Sequence, residues 1–251
     1  MDGFSEDRLL DGRVRLRQPL DGYRAAIDPV FLAAAVPAKI GERVLDLGSG
    51  VGAASLCLAA RVAGCRIEGL EQQSALVALA KENIELNGVA DRVRSTLGTL
   101  QTPPPDLLPG TFDLVMTNPP FYEAGEGTAS PHAGKVAANC EGEADLAAWI
   151  DFAVAMLRPK GTVVVVHRAD RLDDLLAALR HKAGDAMVFP LWPKRDRPAK
   201  RLLVRARKGI QSPLALLPGL VLHQDDGRYT AAADAILRQA AGLRHPDFGL
   251  A

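Results

Sequence analysis

Residues 43–52, RVLDLGSGVG, join an apolar segment to a turn that contains three glycines. The first half, residues 43–47, has the composition of a buried strand, and the alanine-rich residues 53–63 that follow the turn are typical of a helix. Because glycine has no side chain, such a turn lets a ligand approach the first N–H groups of the helix closely. The stretch therefore predicts an α/β fold with a ligand site at the end of this strand.

The alternation of strand and helix continues along the chain. Further strands are predicted at residues 66–70, 93–97, 112–116, 162–166, 186–189 and 200–207, with helices at 72–86, 143–157 and 170–182. This order predicts a doubly wound, mostly parallel sheet. No internal repeat is present. We expect a strand and helix extension over residues 1–39, one α/β domain over 40–208, and a C-terminal extension over 209–251 packed on the same domain.

The composition excludes several classes of protein. With 251 residues, of which 48% are hydrophobic, the chain can bury a large core, and its 30 basic and 30 acidic residues give no overall attraction to a polyanion. No apolar segment reaches the length of a membrane span, and the N-terminus lacks the pattern of a signal peptide, so we expect a cytoplasmic protein without a membrane partner. The three cysteines form no C-x-x-C pair, and His223 and His245 lack metal-ligand spacing, so no metal site is predicted.

The glycine turn is compatible with two kinds of cofactor. Residues 48–53 match G-x-G-x-x-A, the pattern of a dinucleotide site. Asp46, however, lies two residues before the first glycine, where it would repel a pyrophosphate. A carboxylate at that position suits a cationic ligand such as S-adenosylmethionine, which carries an ammonium and a sulfonium. Glu71, at the end of the next strand, is placed to bind a ribose diol.

A second motif, Asn118-Pro119-Pro120-Phe121, follows the strand at residues 112–116. Prolines cannot continue a strand because they lack the N–H that the ladder needs, so the chain must leave the sheet at the carboxyl end of the strand. Ligands bind at that edge of an open α/β sheet. The motif therefore brings an amide, a rigid backbone and an aromatic ring to the predicted site. Taken alone, it is equally compatible with a proline-rich loop whose Phe121 packs in the core.

Residues 44–52, Glu71 and residues 118–121 together resemble the motifs of Rossmann-like class I S-adenosylmethionine-dependent methyltransferases, with the N-P-P-[FYW] motif of the amino-methyltransferases. Within that superfamily, the chain most resembles the bacterial tRNA-valine adenine-N6 methyltransferase group. The resemblance implies seven strands with the last one antiparallel, beside residues 163–166. It also implies a set of cofactor-binding residues: Asp46, Gly48, Ser49, Gly50, Glu71, Gln72, Thr99 and Asn118. Thr99 stands close to where many relatives have an acid that binds the adenine amino group.

The resemblance also implies how the site acts. Asn118 and the Pro119 carbonyl would accept the two N–H groups of a planar amino group, while Phe121 and Tyr122 would contact the base. A basic run in the sequence supports an RNA substrate, tRNA above all, whose phosphates it would bind: Lys194, Arg195, Arg197, Lys200, Arg201, Arg205, Arg207 and Lys208. Within it, Arg201, Arg205 and Arg207 alternate onto one face of the last strand, and arginines 13, 15 and 17 could form a second basic strip. The alternative is a solvated sheet edge.

Other interpretations of the same residues stay open. The Asn118 geometry would also serve a protein glutamine or small-molecule N-methyltransferase, and a chain with this fold could bind the cofactor without catalysis. We expect Trp149 and Phe152, at helical spacing, to be core residues. His167, which follows a buried strand, is interpreted as a structural histidine, and residues 123–134 as a binding loop or lid.

Overall fold

The computed structural model describes residues 3–20, 24–120, 145–243 and 248. Its strands are β1 (Phe4–Leu9), β2 (Val14–Pro19), β3 (Arg43–Leu47), β4 (Arg66–Glu71), β5 (Val93–Leu97), β6 (Phe112–Thr117), β7 (Leu157–Arg168), β8 (Ala183–Trp192), β9 (Arg201–Lys208), β10 (Ala215–Leu216) and β11 (Leu220–Val221). Its helices are α1 (Asp28–Ala35), α2 (Ala53–Arg61), α3 (Ser74–Leu86), α4 (Leu146–Met156), α5 (Leu172–Leu179) and α6 (Ala231–Gln239).

The main sheet has the strand order β10-β8-β9-β7-β6-β3-β4-β5, with β11 also paired to β8. All of its described pairings are parallel except those of β9, which runs antiparallel to both β7 and β8. The predicted doubly wound sheet with an antiparallel seventh strand is thereby confirmed. The order reverses between β3 and β6, and ligands bind at such a reversal in open α/β sheets.

Helices cover both faces of this sheet. One apolar cluster packs α1, α2 and parts of α3 and α6 against one face, and a second packs α4 and α5 against the other. Helix α1 is buried at every position, as expected for a helix that is apolar around its whole circumference. This double covering explains why the centre of β7, residues 163–166, is continuously apolar rather than alternating.

The N-terminal hairpin β1–β2 forms a separate two-stranded sheet on the side of α3. Two asparagines of α3 take the place of a neighbouring strand. The Asn83 side chain accepts from the Arg17 N–H at 2.7 Å and donates to the Arg17 carbonyl at 3.0 Å, and Asn87 does the same with Arg15 at 2.9 and 2.7 Å. Asn83 also donates to the Val51 carbonyl at 3.0 Å, so the hairpin is connected to the glycine turn.

The C-terminal extension adds two short strands, β10 and β11, beside β8, which the sequence alone did not indicate. Helix α6 packs on the same face as α1, and Leu243 N–H donates to the Ala34 carbonyl at 2.8 Å. Among the described residues, no helix is both long and apolar enough to cross a membrane.

Candidate active site

A cavity of about 130 Å³ opens at the carboxyl ends of β3, β4 and β6. Strand alignment explains its position, because Leu47 at the end of β3 pairs with Leu70 of β4 and with Thr117 of β6. Residues immediately after these positions must therefore meet at one edge. The eight residues predicted to bind the cofactor all line this cavity: Asp46, Gly48, Ser49, Gly50, Glu71, Gln72, Thr99 and Asn118.

The glycine turn wraps closely around the end of β3. Gly48 and Gly50 have φ angles of 74° and 55°, in the left-handed region that glycine adopts without strain. The N–H groups of Gly48 and Ser49 donate to the Leu70 carbonyl at 2.9 and 3.1 Å, which fixes the turn to β4. Its backbone forms one wall of the cavity.

Asp46 is a buried acid on the floor of the cavity, with 2% of its surface exposed. Its Oδ2 accepts from the Ser55 hydroxyl at 2.7 Å. Burial raises the pKa of Asp46 to about 6, with the Ser55 hydrogen bond opposing and the nearby Glu71 adding to the rise. Within the described part of the chain, no basic side chain forms an ion pair with Asp46. An ionised carboxylate in this setting favours a cationic ligand.

Glu71 also has a structural role that the sequence did not indicate. Its two carboxylate oxygens accept from the Gly50 N–H at 3.0 Å and from the Gln73 N–H at 2.8 Å, so it holds the glycine turn against the end of β4. Burial raises the pKa of Glu71, and these backbone N–H donors partly offset the rise. A carboxylate has about four acceptor positions, so capacity remains for the hydroxyls of a ribose.

Asn118, Pro119 and Pro120 leave the sheet at the end of β6 and line the cavity on the side opposite Glu71's strand. The preceding residue, Thr117, is fully buried and donates its hydroxyl to the Leu47 carbonyl at 2.8 Å. Asn118 is thus fixed one residue beyond an anchored position, beside the glycine turn. Phe121 and Tyr122, the predicted base contacts, lie outside the described residues, as does the predicted loop at 123–134.

Trp149 was predicted to be a core residue, but it lines the cavity. Its indole Nε1–H donates to the Thr117 hydroxyl at 2.7 Å, and its six-membered ring lies against Gly48. The α4 helix that carries it begins at Asp145, whose side chain caps the helix by accepting from the Ala148 N–H. Helical spacing could not reveal this position, because the same spacing describes a residue facing the core and one facing a cavity at its edge.

Thr99 and Gln72 lie at the rim. The Thr99 hydroxyl is engaged with Thr102, accepting from its N–H at 3.0 Å and sharing a hydrogen bond with its hydroxyl at 2.8 Å. The Thr99 hydroxyl is therefore engaged within a local turn. It has fewer hydrogen-bonding positions left for the adenine amino group than a carboxylate at the same place would have.

The three arginines predicted to bind phosphates are occupied within the protein. Arg201 pairs with Asp28 of α1 at 2.9 Å, and Arg207 pairs with Asp185 at 3.7 Å. Arg205 is buried, lies over the Phe248 ring and donates to the Phe248 carbonyl. Alternation along β9 was predicted correctly, but Phe248 covers that face of the strand at Arg205.

His167 is fully buried at the end of β7. Its Nδ1 accepts from the Arg168 N–H at 2.9 Å, which leaves Nε2 as the protonated nitrogen of the neutral ring. The ring also interacts with the Pro120 backbone, whose only polar group is a carbonyl. Burial, with Arg171 nearby, lowers the pKa of His167 to about 4. The histidine is thus a neutral contact of the Asn118-Pro119-Pro120 segment.

The strand order, with its antiparallel seventh strand, and the acid-lined cavity beside a glycine turn define the class of Rossmann-like methyltransferases. Residues 26–178 match the model of the methyltransferase small domain family, and the chain belongs to that family. It is an S-adenosyl-L-methionine-dependent methyltransferase. The described residues fit this cofactor, because two buried carboxylates face a cavity where the described residues supply no counter-cation.

Individual proteins are also similar to this chain, two in sequence and one in fold. The chain is 29% identical over 225 residues to the tRNA1(Val) (adenine(37)-N6)-methyltransferase of Dickeya chrysanthemi, covering 86% of each chain. It is 35% identical over 140 residues to the release factor glutamine methyltransferase of Haemophilus influenzae, covering 50% of this chain and 46% of the relative. A solved structure from Agrobacterium tumefaciens, described as a predicted O-methyltransferase, shares the fold with a TM-score of 0.73 at 22% identity, covering 87% of this chain and 99% of the other.

Proposed function

We propose that this protein transfers the methyl group of S-adenosyl-L-methionine to the N6 amino group of an adenine in tRNA. The single observation that supports it best is the position of Asn118, one residue beyond the anchored Thr117 and lining the same cavity as Asp46 and Glu71. The similarity to the Dickeya tRNA1(Val) (adenine(37)-N6)-methyltransferase over most of both chains supports the choice of adenine and tRNA.

In this proposal, the acids and the glycine turn hold the cofactor. The buried Asp46 carboxylate attracts its positive charge, the bare backbone of Gly48 and Gly50 allows close approach, and Glu71 accepts from the ribose hydroxyls. Gln72, Ser49 and Thr99 complete the rim. The cofactor supplies a methyl group that is already activated as a sulfonium, so the protein has only to align a nucleophile with it.

Asn118 and Pro119 have the task of preparing the amino group. The nitrogen of an adenine amino group is a poor nucleophile because its lone pair is delocalised into the ring. The Asn118 side-chain oxygen and the Pro119 carbonyl can each accept one N–H, which favours a tetrahedral nitrogen and stabilises the positive charge that develops on it. No strong base is needed, since the methylated nitrogen releases its proton readily. Phe121 and Tyr122 are proposed to stack on the base that is removed from its own stack.

A second candidate is methylation of a glutamine side chain in a protein. It is favoured by the 35% identity to the Haemophilus release factor glutamine methyltransferase, and a carboxamide presents the same planar amino group to Asn118. That similarity covers only half of this chain, whereas the tRNA enzyme matches 86% of it. We therefore place the glutamine substrate second.

The deciding experiment is transfer of a labelled methyl group to total tRNA and to total protein from cells that lack this enzyme, followed by nucleoside and amino-acid analysis. Label in N6-methyladenosine from tRNA is the expected result, and label in methylglutamine would replace the first candidate with the second. Asn118→Ala should bind the cofactor as the unaltered protein does, measured by calorimetry, and lose at least about a hundredfold in transfer rate. Full activity of this variant would remove Asn118 from the mechanism.

A further inference from the structure

The β8–β9 connection, residues 193–200, lies at the same edge of the sheet as Asn118. Strand β7 runs parallel to β6, which ends at Thr117, and Arg168 at the end of β7 pairs with Arg201 at the start of β9. The turn that leads into Arg201 must therefore project from the carboxyl edge, where the cavity opens. The other end of β9, with Arg207 and Lys208, lies at the opposite edge.

This turn exposes positive charge that is not neutralised. Arg195, Arg197 and Lys200 are exposed, and none of their side chains has an ion pair with any described residue. The acids in the neighbourhood include Asp196 within the turn, Asp225 beside Lys194, Asp226, which pairs with Arg228, and Asp170, which pairs with Arg168. By contrast, Arg15 and Arg17 of the N-terminal hairpin have carboxylate partners, although Arg8 and Arg13 are exposed without an ion pair to a described residue.

On the N-terminal side of the chain, three arginines already have carboxylate partners. In the hairpin, Arg15 pairs with Glu6 at 3.0 Å, and Arg17 pairs with Glu82 at 3.1 Å. Arg24 pairs with Asp7. A phosphate would have to displace a carboxylate at each of these positions, whereas the 193–200 turn presents cations without partners.

The turn is also held in place. The Ala169 N–H donates to the Lys200 carbonyl at 3.2 Å, which ties the turn to the end of β7. On its other side, the C-terminal extension supports it: Leu222 and His223 N–H groups donate to the Trp192 and Pro193 carbonyls at 2.7 and 3.2 Å. The ammonium of Lys194 donates to the Asp225 carbonyl at 3.1 Å. A cationic surface that is fixed before binding loses less conformational entropy when it contacts phosphates.

We propose that the 193–200 turn binds the phosphate backbone of the RNA substrate, with residues 220–225 as its support, so that RNA enters the cavity across the ends of β7 and β9. This inference rests on the proposed function. It narrows the predicted basic run to the turn before β9, because Arg205 on the face of β9 is buried. It also gives the C-terminal extension a role in substrate binding.

The test compares two variants that remove two exposed cations each. Arg195→Ala/Arg197→Ala alters the turn, and Lys39→Ala/Arg66→Ala alters the opposite edge, where neither side chain has an ion pair with a described residue. The probe is an unmodified tRNA transcript, and its dissociation constant is measured between 50 and 200 mM salt (roughly the range over which such contacts weaken). Calorimetry with S-adenosyl-L-methionine checks that both variants are folded.

The turn variant should bind tRNA at least about tenfold more weakly at low salt, with its log–log salt slope smaller by about 2, while the opposite-edge variant keeps both values. Equal losses in the two variants, or no loss in either, would overturn the proposal. Its failure is distinct from that of the proposed function. Adenine methylation with an unchanged salt slope rejects the turn alone, whereas a turn-dependent slope without methylation of tRNA rejects only the reaction.

Discussion

The Trp149 indole donates to the Thr117 hydroxyl at 2.7 Å and lies against Gly48, so one side chain from α4 contacts two neighbouring strands at the cavity. A methyl group added at Gly48 would lie 2.8 Å from the Trp149 ring, closer than side-chain atoms pack. Gly48 is therefore required for two reasons, namely its φ of 74° and the ring beside it. Only the second reason involves Trp149.

Replacing Gly48 by alanine should lower the free energy of unfolding by about 2–4 kcal/mol, from left-handed strain and overpacking together. Trp149→Phe, which shortens the ring and removes the hydrogen bond, should cost about 1–2 kcal/mol. Because the smaller ring relieves the clash, the double variant should be at least about 1 kcal/mol more stable than the sum of the two changes. Chemical denaturation of all four proteins measures this coupling, and strict additivity would contradict the contact.

Asp46→Asn should stabilise the cofactor-free protein while weakening cofactor binding. Burial raises the pKa of Asp46 from 3.8 to about 6, so the ionised form is disfavoured in the fold and stability falls as the pH rises through this range. At neutral pH, the neutral amide should add about 1–3 kcal/mol to the free energy of unfolding. Asp106→Asn, at an exposed position, is the control and should change neither property. A destabilised Asp46→Asn would contradict the electrostatic explanation.

Cofactor affinity should fall as the pH decreases below about 6. The pKa of Asp46 is about 6, so this carboxylate loses its charge in mildly acidic solution, and the pKa of Glu71 is raised in the same direction by burial. The loss should approach about tenfold per pH unit for each proton taken up before binding. Calorimetry from pH 5 to pH 8 measures it. An affinity that stays level over this range would mean that Asp46 does not need its charge to hold the cofactor.

His167 should affect the rate of methyl transfer through the hydrogen on its Nε2 rather than through a charge on its ring. Its pKa of about 4 keeps the ring neutral, with Nε2 protonated and available to the Pro120 carbonyl. The amide nitrogen of glutamine can occupy the position of Nε2, whereas that of asparagine corresponds to Nδ1. His167→Gln should therefore keep kcat within about tenfold, and His167→Asn should lower it about a hundredfold with little change in cofactor affinity. If the two variants lose equal activity, the Pro120 contact does not position the motif.

Asn83 and Asn87 form a matched pair for measuring how the hairpin is attached. Both bind the backbone of β2 in the same way, but Asn83 is fully buried and also donates to Val51 in the glycine turn. Asn83→Ala should cost about 2–4 kcal/mol because it leaves buried polar groups without partners, and Asn87→Ala about 1 kcal/mol. Denaturant unfolding gives both values. Hydrogen exchange in β2 should increase most in Asn83→Ala, and equal increases would argue against burial as the cause.

Much of the fold could be predicted because its signals are local. The apolar segments from Arg43 to Leu47 and from Thr162 to Val166, with the glycine turn between strand and helix, lie within short windows where composition determines the element. The resemblance to methyltransferases added the antiparallel last strand, which no local pattern indicates. The two short strands at residues 215–216 and 220–221 have only two residues each, too few for any periodicity.

The site was predictable where residues lie at strand ends. Asp46, Glu71 and Asn118 each follow an apolar strand, and parallel strands bring their carboxyl ends to one edge. Trp149 was interpreted as a core residue because its position at the cavity depends on elements distant in sequence. His167 is fully buried and does not line the cavity, in agreement with its interpretation as a structural histidine. The arginines of β9 were assigned to one face correctly, yet alternation does not reveal what covers that face.

The sequence by itself determined the secondary-structure elements and the chemical groups of the site. These are alternating strands and helices, an acid before a glycine turn, a second acid at the next strand end, and an amide followed by two prolines. Those features depend on the order of residues within a few positions. Only the tertiary structure decided which charges are available. Arg205 is buried over Phe248 and Arg201 is paired with Asp28, while Arg195 and Arg197 are exposed at the edge of the sheet where the cavity opens. Burial and pairing depend on contacts between residues far apart in the chain, so the positions of α1 and of Phe248 against β9 were needed to show them.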